Sequence, residues 1–572
     1  MKVSDYIIDF LVENGVTTIY EVIGGMITHL IDSAYKNERI RLVTVHHEQS
    51  AAFAADAAAR ITGVPGVAMA TSGPGAVNLL TGIGNCYFDS VPAVFITGQV
   101  NRNEQKGVRP IRQLGFQETD IVSMALPVTK AAWKINDPSE IPTQLEKAFQ
   151  IALSGRPGPV LLDIPMDVQR MNISGQKIHK VEIGQSGHPA PDLNDLFSEL
   201  HKAKKPLIIA GRGIRASGSV KLFRRLIDQI HIPVVNSLLA VDVLPYHHPD
   251  RVGLIGTYGN RWANLAIGEA DFFLVLGSRL DIRQTGADLE GFRHGCSIYQ
   301  VDINEDEANS RITGCNFIHS DLSQFLEASV QIANNHPLPD YSDWLEQISQ
   351  IRGQWPDENE ITQKDGINPN RFIHQLSQAS RKSAGYLADV GNHQMWAAQS
   401  VELADHQYFL TSGGMGSMGY ALPAAVGAAI ATGGQPAVVL VGDGGMQFNI
   451  QELETISFHK LPVKIIVFNN QSLGMVRQFQ QSYFNSRYEA TRWGYSAPDF
   501  EAIARAYQID SCTIRREAEI NGAFEQFWSR PDAPFLLQVM IDPEVNAYPK
   551  IAFGLPITKM EPFDRPIEME GT

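Results

Sequence analysis

The chain has 572 residues, too many for one hydrophobic core, so its length favours about three domains. Apolar residues make up 44% and charged residues 19%, as in ordinary globular proteins, and 47 basic against 62 acidic side chains leave a formal charge of −15. No Lys/Arg cluster interleaved with aromatics offers a nucleic-acid surface, no apolar run of about 18 residues offers a membrane span, and four scattered cysteines without CxxC spacing argue against a disulfide framework or zinc site.

The opening MKVSDYIIDFLVENG carries acids among its apolar positions, unlike a secretory signal, so a cytoplasmic protein is expected. Ile7, Leu11 and Val16 mark an amphipathic helix, and Thr17 to Ile23 an extended run ending at Gly24-Gly25. Arg41 to Val45 reads as a strand and His46-His47-Glu48-Gln49 as its exit turn. Ala51 to Arg60 is a helix so rich in alanine that other backbone must pack closely on it. Val64 to Thr71 is a strand before Ser72-Gly73-Pro74-Gly75, Val94 to Thr97 is another, and GRPGPVLLDIP (155–165) closes a doubly wound domain over 1–170. Ser174 to Asp192, polar and aperiodic, reads as a linker. From Lys205, KPLIIAGRGIR, IPVVNS, ADFFLVLGSRLDIRQTG and CSIYQVDI give four short apolar strands with glycine-bearing exits, a second domain over 190–335. The polar stretch His336 to Gln363 separates it from a third domain, 365–545, and a tail, 546–572, follows. The expected class is α/β, with three doubly wound parallel-sheet domains.

The third domain carries the most informative stretch, VVLVGDGGMQFNIQELETISFHKLPVKIIVFNNQSLGMVR (438–477). Val438 to Val441 is an unbroken aliphatic run, as in a strand buried on both faces. Gly442-Asp443-Gly444-Gly445 breaks it with a glycine turn. Asn449 followed by Glu452 reads as a capping-box helix start, and Pro462 ends that helix. Val463 to Phe468 is a second buried strand with Asn469-Asn470 at its carboxyl end. Asp443 and Asn470 then reach one sheet edge, where ligands of open parallel sheets bind. A carboxylate, an amide oxygen and a nearby backbone carbonyl, placed at Ser472, suit Mg²⁺, which completes its shell with phosphate oxygens and water. Gly444 and Gly445 let a diphosphate approach the backbone.

GDG with a later NN at the end of the next strand resembles the signature of thiamine-diphosphate (ThDP) enzymes. NIQELET, LPVKIIVFNN and LGMVRQ resemble the catalytic subunit of acetohydroxyacid (acetolactate) synthase, and the likeness runs from Asp5 to about Leu537. It implies a carboligase that decarboxylates pyruvate and transfers the two-carbon acetyl-anion equivalent to a second carbonyl compound. Such chemistry requires a carboxyl group in a rather apolar pocket to exchange a proton with the aminopyrimidine, and HHEQSAAFAADAAAR matches the segment that carries it. Glu48 is the implied carboxyl; read from the residues alone, a helix-start glutamate stabilised by the macrodipole is an equal alternative. The resemblance also assigns Gln117, of LGFQETD, to the reacting substrate, and Gly24, Gly25, Pro74 and Asn78 to the pyrimidine side. It assigns Asn392 and His393 to the diphosphate, the Gly416 carbonyl to the 4′-amino group, Met418 to the bulky apolar side chain that bends the cofactor, and Met475 to the cofactor-binding residues. In the central domain Arg279 and Arg283 match arginines that hold FAD, with Gly211-Arg212-Gly213 and Gly256-Thr257-Tyr258-Gly259 as loops along its chain. The family's sites lie between subunits, so a homodimer or homotetramer is implied.

In the Glu48 segment the match is imperfect: Ser50, Phe53 and Asp56 replace the family's usual glycine, histidine and glutamate. Further departures cluster where the second substrate should sit: Phe479 replaces the channel tryptophan, and Ile23-Gly24-Gly25 stands where the family has a PGG turn. VRPIRQLG places Arg109 and Arg112 ahead of Gln117. The tail, AYPKIAFGLPITKMEPF, is more similar to synthase-like proteins associated with surface polysaccharides, some of which attach a two-carbon unit to a nucleotide-linked keto sugar. A 2-oxo acid and a keto-sugar nucleotide therefore both stand as acceptors.

Overall fold

The computed structural model describes residues 1–174, 177–182, 191–361 and 366–567. Three six-stranded, wholly parallel sheets follow one another along the chain. The first comprises β1 (Thr18–Val22), β2 (Arg41–Thr44), β3 (Gly66–Ala70), β4 (Ala93–Gln99), β5 (Ala131–Lys134) and β6 (Pro159–Pro165), in the order 2-1-3-4-6-5. The second comprises β7 (Pro206–Ala210), β8 (Val234–Asn236), β9 (Arg251–Leu254), β10 (Phe272–Leu276), β11 (Ser297–Asp302) and β12 (Asn316–His319), in the order 12-11-10-7-8-9. The third comprises β13 (Gly385–Ala388), β14 (Tyr408–Thr411), β15 (Ala437–Gly442), β16 (Val463–Asn469), β17 (Asp510–Ile514) and β18 (Phe535–Met540), in the order 14-13-15-16-18-17.

The first and third sheets thus share one winding, a repeat that no residue-level periodicity reveals. The second has the order of dinucleotide-binding folds, with its switch point between β7 and β10. The chain alternates strand and helix because strands such as Val438–Val441 are apolar throughout and must be covered on both faces.

The alanine-rich helix, Glu48–Thr62, is buried along nearly its whole length. A Cβ on Gly66 would lie 2.0 Å from the Ala55 carbonyl oxygen, one on Gly82 2.2 Å from Ala52 Cβ, and one on Gly427 2.0 Å from the Ala54 carbonyl oxygen. Gly427 belongs to the third-domain helix Ala421–Ala431, so these two small-residue helices weld the first domain to the third. One apolar core runs through both.

Several expectations need correction. The first helix ends at Glu13, before Val16. The second sheet has six strands rather than four, because β9 and β12 are too short and too polar to stand out. The expected linker over Ser174 to Asp192 lies largely outside the described residues. His336 to Gln363 is no bare spacer: it holds the helix Ser342–Gln354, whose Trp344 Nε1 donates to the Pro206 carbonyl at 3.2 Å. The tail folds back as an antiparallel pair, β19 (Lys550–Ile551) with β20 (Met560–Glu561), and the Ile551 amide donates to the Thr257 carbonyl. Among the described residues no helix is long and apolar enough to cross a membrane.

Candidate active site

β13 and β15 flank the switch point of the third sheet, and the segments leaving them build one half-site. Gly442-Asp443-Gly444-Gly445 is not a turn. The helix Asp443–Phe448 starts there directly, so its first amides face the sheet edge. Asn449 does not start a helix either; its Nδ2 donates to the Gly419 carbonyl and its Oδ1 accepts from Ser50, while Glu452 accepts the His46 amide.

Asp443 is 2% exposed. Its Oδ1 accepts the Gly444 amide at 2.8 Å and its Oδ2 the Ser472 amide at 3.3 Å. Burial pushes its carboxyl up to about 7, because amides and the Tyr495 hydroxyl do not balance the charge. Asn470 Oδ1 accepts the same Ser472 amide at 3.2 Å. A Cβ on Gly474 would meet Asn392 Nδ2 at 2.8 Å and Asn470 Nδ2 at 2.9 Å, so both amides converge there. Among the described residues the buried Asn392 Oδ1 and Ser472 Oγ have no hydrogen-bond partner. Oxygens orphaned beside a buried carboxylate suit a hard divalent ion, and the Ser472 hydroxyl and the Asn392 amide N–H groups are donors that a diphosphate could accept from. The residues fit that group.

His393 serves the frame. Its Nε2 accepts the Gly442 amide at 3.2 Å, it stacks on Phe468, and burial pulls its pKa down to about 3, so it is neutral. A Cβ on Gly445 would sit 2.5 Å from Asp389 Oδ1, and one on Gly444 2.6 Å from Leu473 Cδ2 and 3.2 Å from Met418 Cε. Gly445 is demanded by the buried Asp389 carboxylate, while at Gly444 the flexible ends of Leu473 and Met418 lean over the helix start. Gly416 has φ +67° and open space beside it.

The second half-site lies at the switch point of the first sheet, past β1 and β3. Glu48 is 9% exposed, and its Oε2 accepts from Asn78 Nδ2 at 2.9 Å. Its Oε1 lies 3.0 Å from where a Gly75 Cβ would stand, directly after Pro74. A Gly73 Cβ would lie 2.9 Å from Gln117 Cβ, which brings Gln117 to the same edge with φ +67°. Gly24 is required by Thr71, 2.4 Å from its absent Cβ, whereas Gly25 faces open space. Among the described residues no hydrogen bond joins Glu48 to Asp443, Asn470 or Ser472. Within one chain the structure presents two half-sites.

A third feature is a cavity of about 1150 Å³ at the β7/β10 switch point. Gly213, Ser278, Arg279 and Arg283 line its middle-domain side, and Gln394, Gly416 and Met475 its third-domain side. Gly211 and Gly213 are glycines because Gly277 passes 2.2 to 2.7 Å from their absent Cβ positions. Sequence reasoning missed Asp302 and Asp321 of the middle domain and Arg156 of the first domain around the same cavity, although an acid ending a strand, as in CSIYQVD, is a readable signal. It also missed Asp389, which accepts the Gly419, Val390 and Ala421 amides, and Tyr495, which no periodicity marks.

Paired half-sites on two sheets of identical winding, one with a glutamate and one with a GDG…NN seat, define a class. Three family models match in order: the N-terminal TPP binding domain of thiamine pyrophosphate enzymes over 1–124, their central domain over 193–329, and their C-terminal TPP binding domain over 389–539. The chain is 34% identical to the acetolactate synthase large subunit of Lactococcus lactis, covering 96% of this chain and 94% of that one. It is 34% identical to the large subunit of Escherichia coli acetolactate synthase isozyme 2, over 98% and 99%, and to a probable large subunit from Methanocaldococcus jannaschii, over 100% and 96%. The chain belongs to the acetolactate synthase large-subunit family of ThDP enzymes and is a ThDP-dependent, acetolactate synthase-like transferase.

Proposed function

We propose that this chain decarboxylates pyruvate and transfers the remaining two-carbon unit to a second carbonyl compound, with ThDP and Mg²⁺ as cofactors. The observation that carries the reading is the convergence of Asn470 and Asn392 on Gly474, with Asp443 and Asn470 sharing the Ser472 amide, and with Asn392 Oδ1 and Ser472 Oγ unpartnered among the described residues. Asp443, Asn470 and the Ser472 carbonyl would hold the metal, and Asn392 the diphosphate. Bound ThDP would supply carbanion chemistry and an electron sink for a decarboxylation. Glu48, oriented by Asn78, would move the proton at the pyrimidine nitrogen, and the Gly416 carbonyl would receive the 4′-amino group. Met418 would keep the rings bent together, and Gln117 would contact the reacting substrate.

Because Glu48 and Asp443 stand in separate half-sites, the working site forms between chains, and the protein is at least a dimer. Exposed Val77, beside Asn78, and exposed Tyr87 provide apolar surface for that contact. The central cavity, with Arg279 and Arg283 for phosphates and the dinucleotide strand order behind it, suits FAD.

One observation favours an acceptor larger than a second 2-oxo acid. Arg109 and Arg112 are exposed on the segment leading to Gln117, and Phe479 is 39% exposed on the helix Gly474–Tyr483. Guanidinium groups pair phosphate bidentately, so a nucleotide-linked keto sugar fits this entrance. The test of the activity is CO₂ release from pyruvate with and without ThDP and Mg²⁺. Release that needs both supports the proposal; none from pyruvate or any other small 2-oxo acid overturns it.

A further inference from the structure

The loop that carries Gly416 and Met418 runs from Ser412 to Tyr420, and side chains of another domain hold its start. Asp89, on the first domain, accepts the Gly413 amide through Oδ2 at 3.0 Å and the Gly414 amide through Oδ1 at 2.6 Å. Arg60 Nη2 donates to the same Oδ2 at 2.8 Å, and Arg60 Nη1 to the Thr411 carbonyl at 3.3 Å. Arg60 is fixed in turn by Asp56, through Nε at 2.6 Å and Nη2 at 3.1 Å. Asp56 also accepts the Tyr420 hydroxyl at 2.8 Å, at the far end of the loop. Asn85 Oδ1 accepts from Ser412 Oγ at 2.5 Å, and that oxygen accepts the Ser417 amide at 2.9 Å. Arg60, Asp56 and Asp89 are all fully buried at their side chains. Arg212, of the middle domain, donates through Nε to the Asp89 carbonyl at 3.0 Å.

We propose that Asp89, with Arg60 and Asp56 behind it, is a positioning residue for the cofactor: it sets the loop that presents the Gly416 carbonyl and Met418. The physical reason is redundancy. A glycine-rich loop has little stiffness of its own. Here both amides at its start, the carbonyl before it and the hydroxyl after it are all tied to one buried charged cluster. Such a cluster has a single low-energy arrangement, since any displaced member leaves a buried charge unpaired. The Asp89 cluster touches no reacting atom and acts on ThDP through the loop; Asp89 itself also borders the central cavity. The inference rests on the ThDP reading above.

The test is ThDP affinity, measured by isothermal titration in saturating Mg²⁺, beside the melting midpoint. Asp89→Asn keeps the shape but gives up one carboxylate oxygen. Its ThDP affinity is expected to fall on the order of tenfold, and kcat with it, because small misplacements of positioned groups are amplified. Ser412→Ala, a milder change on the same loop, is expected to weaken ThDP in the same direction by roughly threefold, and it decides the matter should Asp89→Asn not fold. Glu360→Gln, which weakens the distant buried Arg261–Glu360 pair, controls for lost stability and should leave ThDP affinity unchanged. Normal ThDP affinity in the folded Asp89→Asn and Ser412→Ala proteins, or an equal loss in Glu360→Gln, overturns the proposal while wild-type binding stands. Wild-type protein that binds no ThDP overturns both this proposal and the functional reading.

Discussion

Asp443→Asn should stabilise the empty protein while abolishing its metal-dependent cofactor binding. In the folded chain the Asp443 carboxyl is pushed from its ordinary value of 3.8 to about 7. At about 1.4 kcal/mol per pH unit, that difference is roughly 4 kcal/mol. A carboxyl raised on folding stays protonated in the native state while the unfolded chain ionises. Stability is therefore lost as pH climbs from about 4 to about 7 and is level above that. Asparagine removes the charge but turns an N–H toward the Ser472 amide that Oδ2 now accepts, a mismatch of about 1–3 kcal/mol. The net gain of the variant at pH 8 is then roughly 1–3 kcal/mol, vanishing or reversing near pH 5. Urea unfolding at fixed protein concentration, without cofactor, at pH 5 and pH 8 measures it. Mg²⁺ with ThDP should narrow or invert the gap, since only wild type gains about 2.7 kcal/mol from ligand at a hundred times its dissociation constant. A cofactor-free variant that is less stable than wild type by the same margin at both pH values would refute the reasoning.

Glu48→Gln should lower kcat about 10²- to 10⁴-fold in a pyruvate-consumption assay while ThDP affinity stays within about threefold, and unchanged turnover removes Glu48 from the mechanism. Met418→Ala, which empties the space over Gly444, should lower kcat on the order of tenfold in the same assay without altering Mg²⁺ affinity. Arg279→Ala or Arg283→Ala should weaken FAD about 10- to 100-fold by flavin fluorescence, as loss of a charge-assisted hydrogen bond does; full retention would exclude these side chains from the flavin site. Replacing Arg109 and Arg112 together by alanine should slow reaction with a phosphate-bearing acceptor several-fold and leave pyruvate decarboxylation alone intact.

What the sequence reveals follows the range of the physics behind each signal. The strands Val438–Val441 and Val463–Phe468 are legible because burial on both faces leaves an apolar run, and their carboxyl ends place Asp443 and Asn470 without knowledge of the sheet. The alanines of Glu48–Thr62 foretell close packing, and Gly66, Gly82 and Gly427 deliver it. Pairings distant in sequence leave no local mark. Asp389 looks like any strand-end carboxylate until the Gly419 and Ala421 amides arrive on it, and Tyr495 has no pattern at all. GDGG reads as a turn because glycines disfavour helices, yet the amides at that helix start face the seat, and tertiary packing overrides propensity. The helix Ser342–Gln354 hides for a similar reason: only Trp344 and Ile348 of its thirteen residues are buried.

The central claim is a two-carbon transfer, and the mass of the product tests it most directly. Purified protein with ThDP and Mg²⁺ is given isotope-labelled pyruvate and a panel of carbonyl acceptors, and the products are resolved by mass spectrometry. The carboxyl label should leave as CO₂ and the other two pyruvate carbons should appear bonded to the acceptor, with the larger ketone or keto-sugar nucleotide consumed faster than a second pyruvate. Intact pyruvate after incubation with every acceptor, or CO₂ release that leaves only acetaldehyde or acetate, would contradict it.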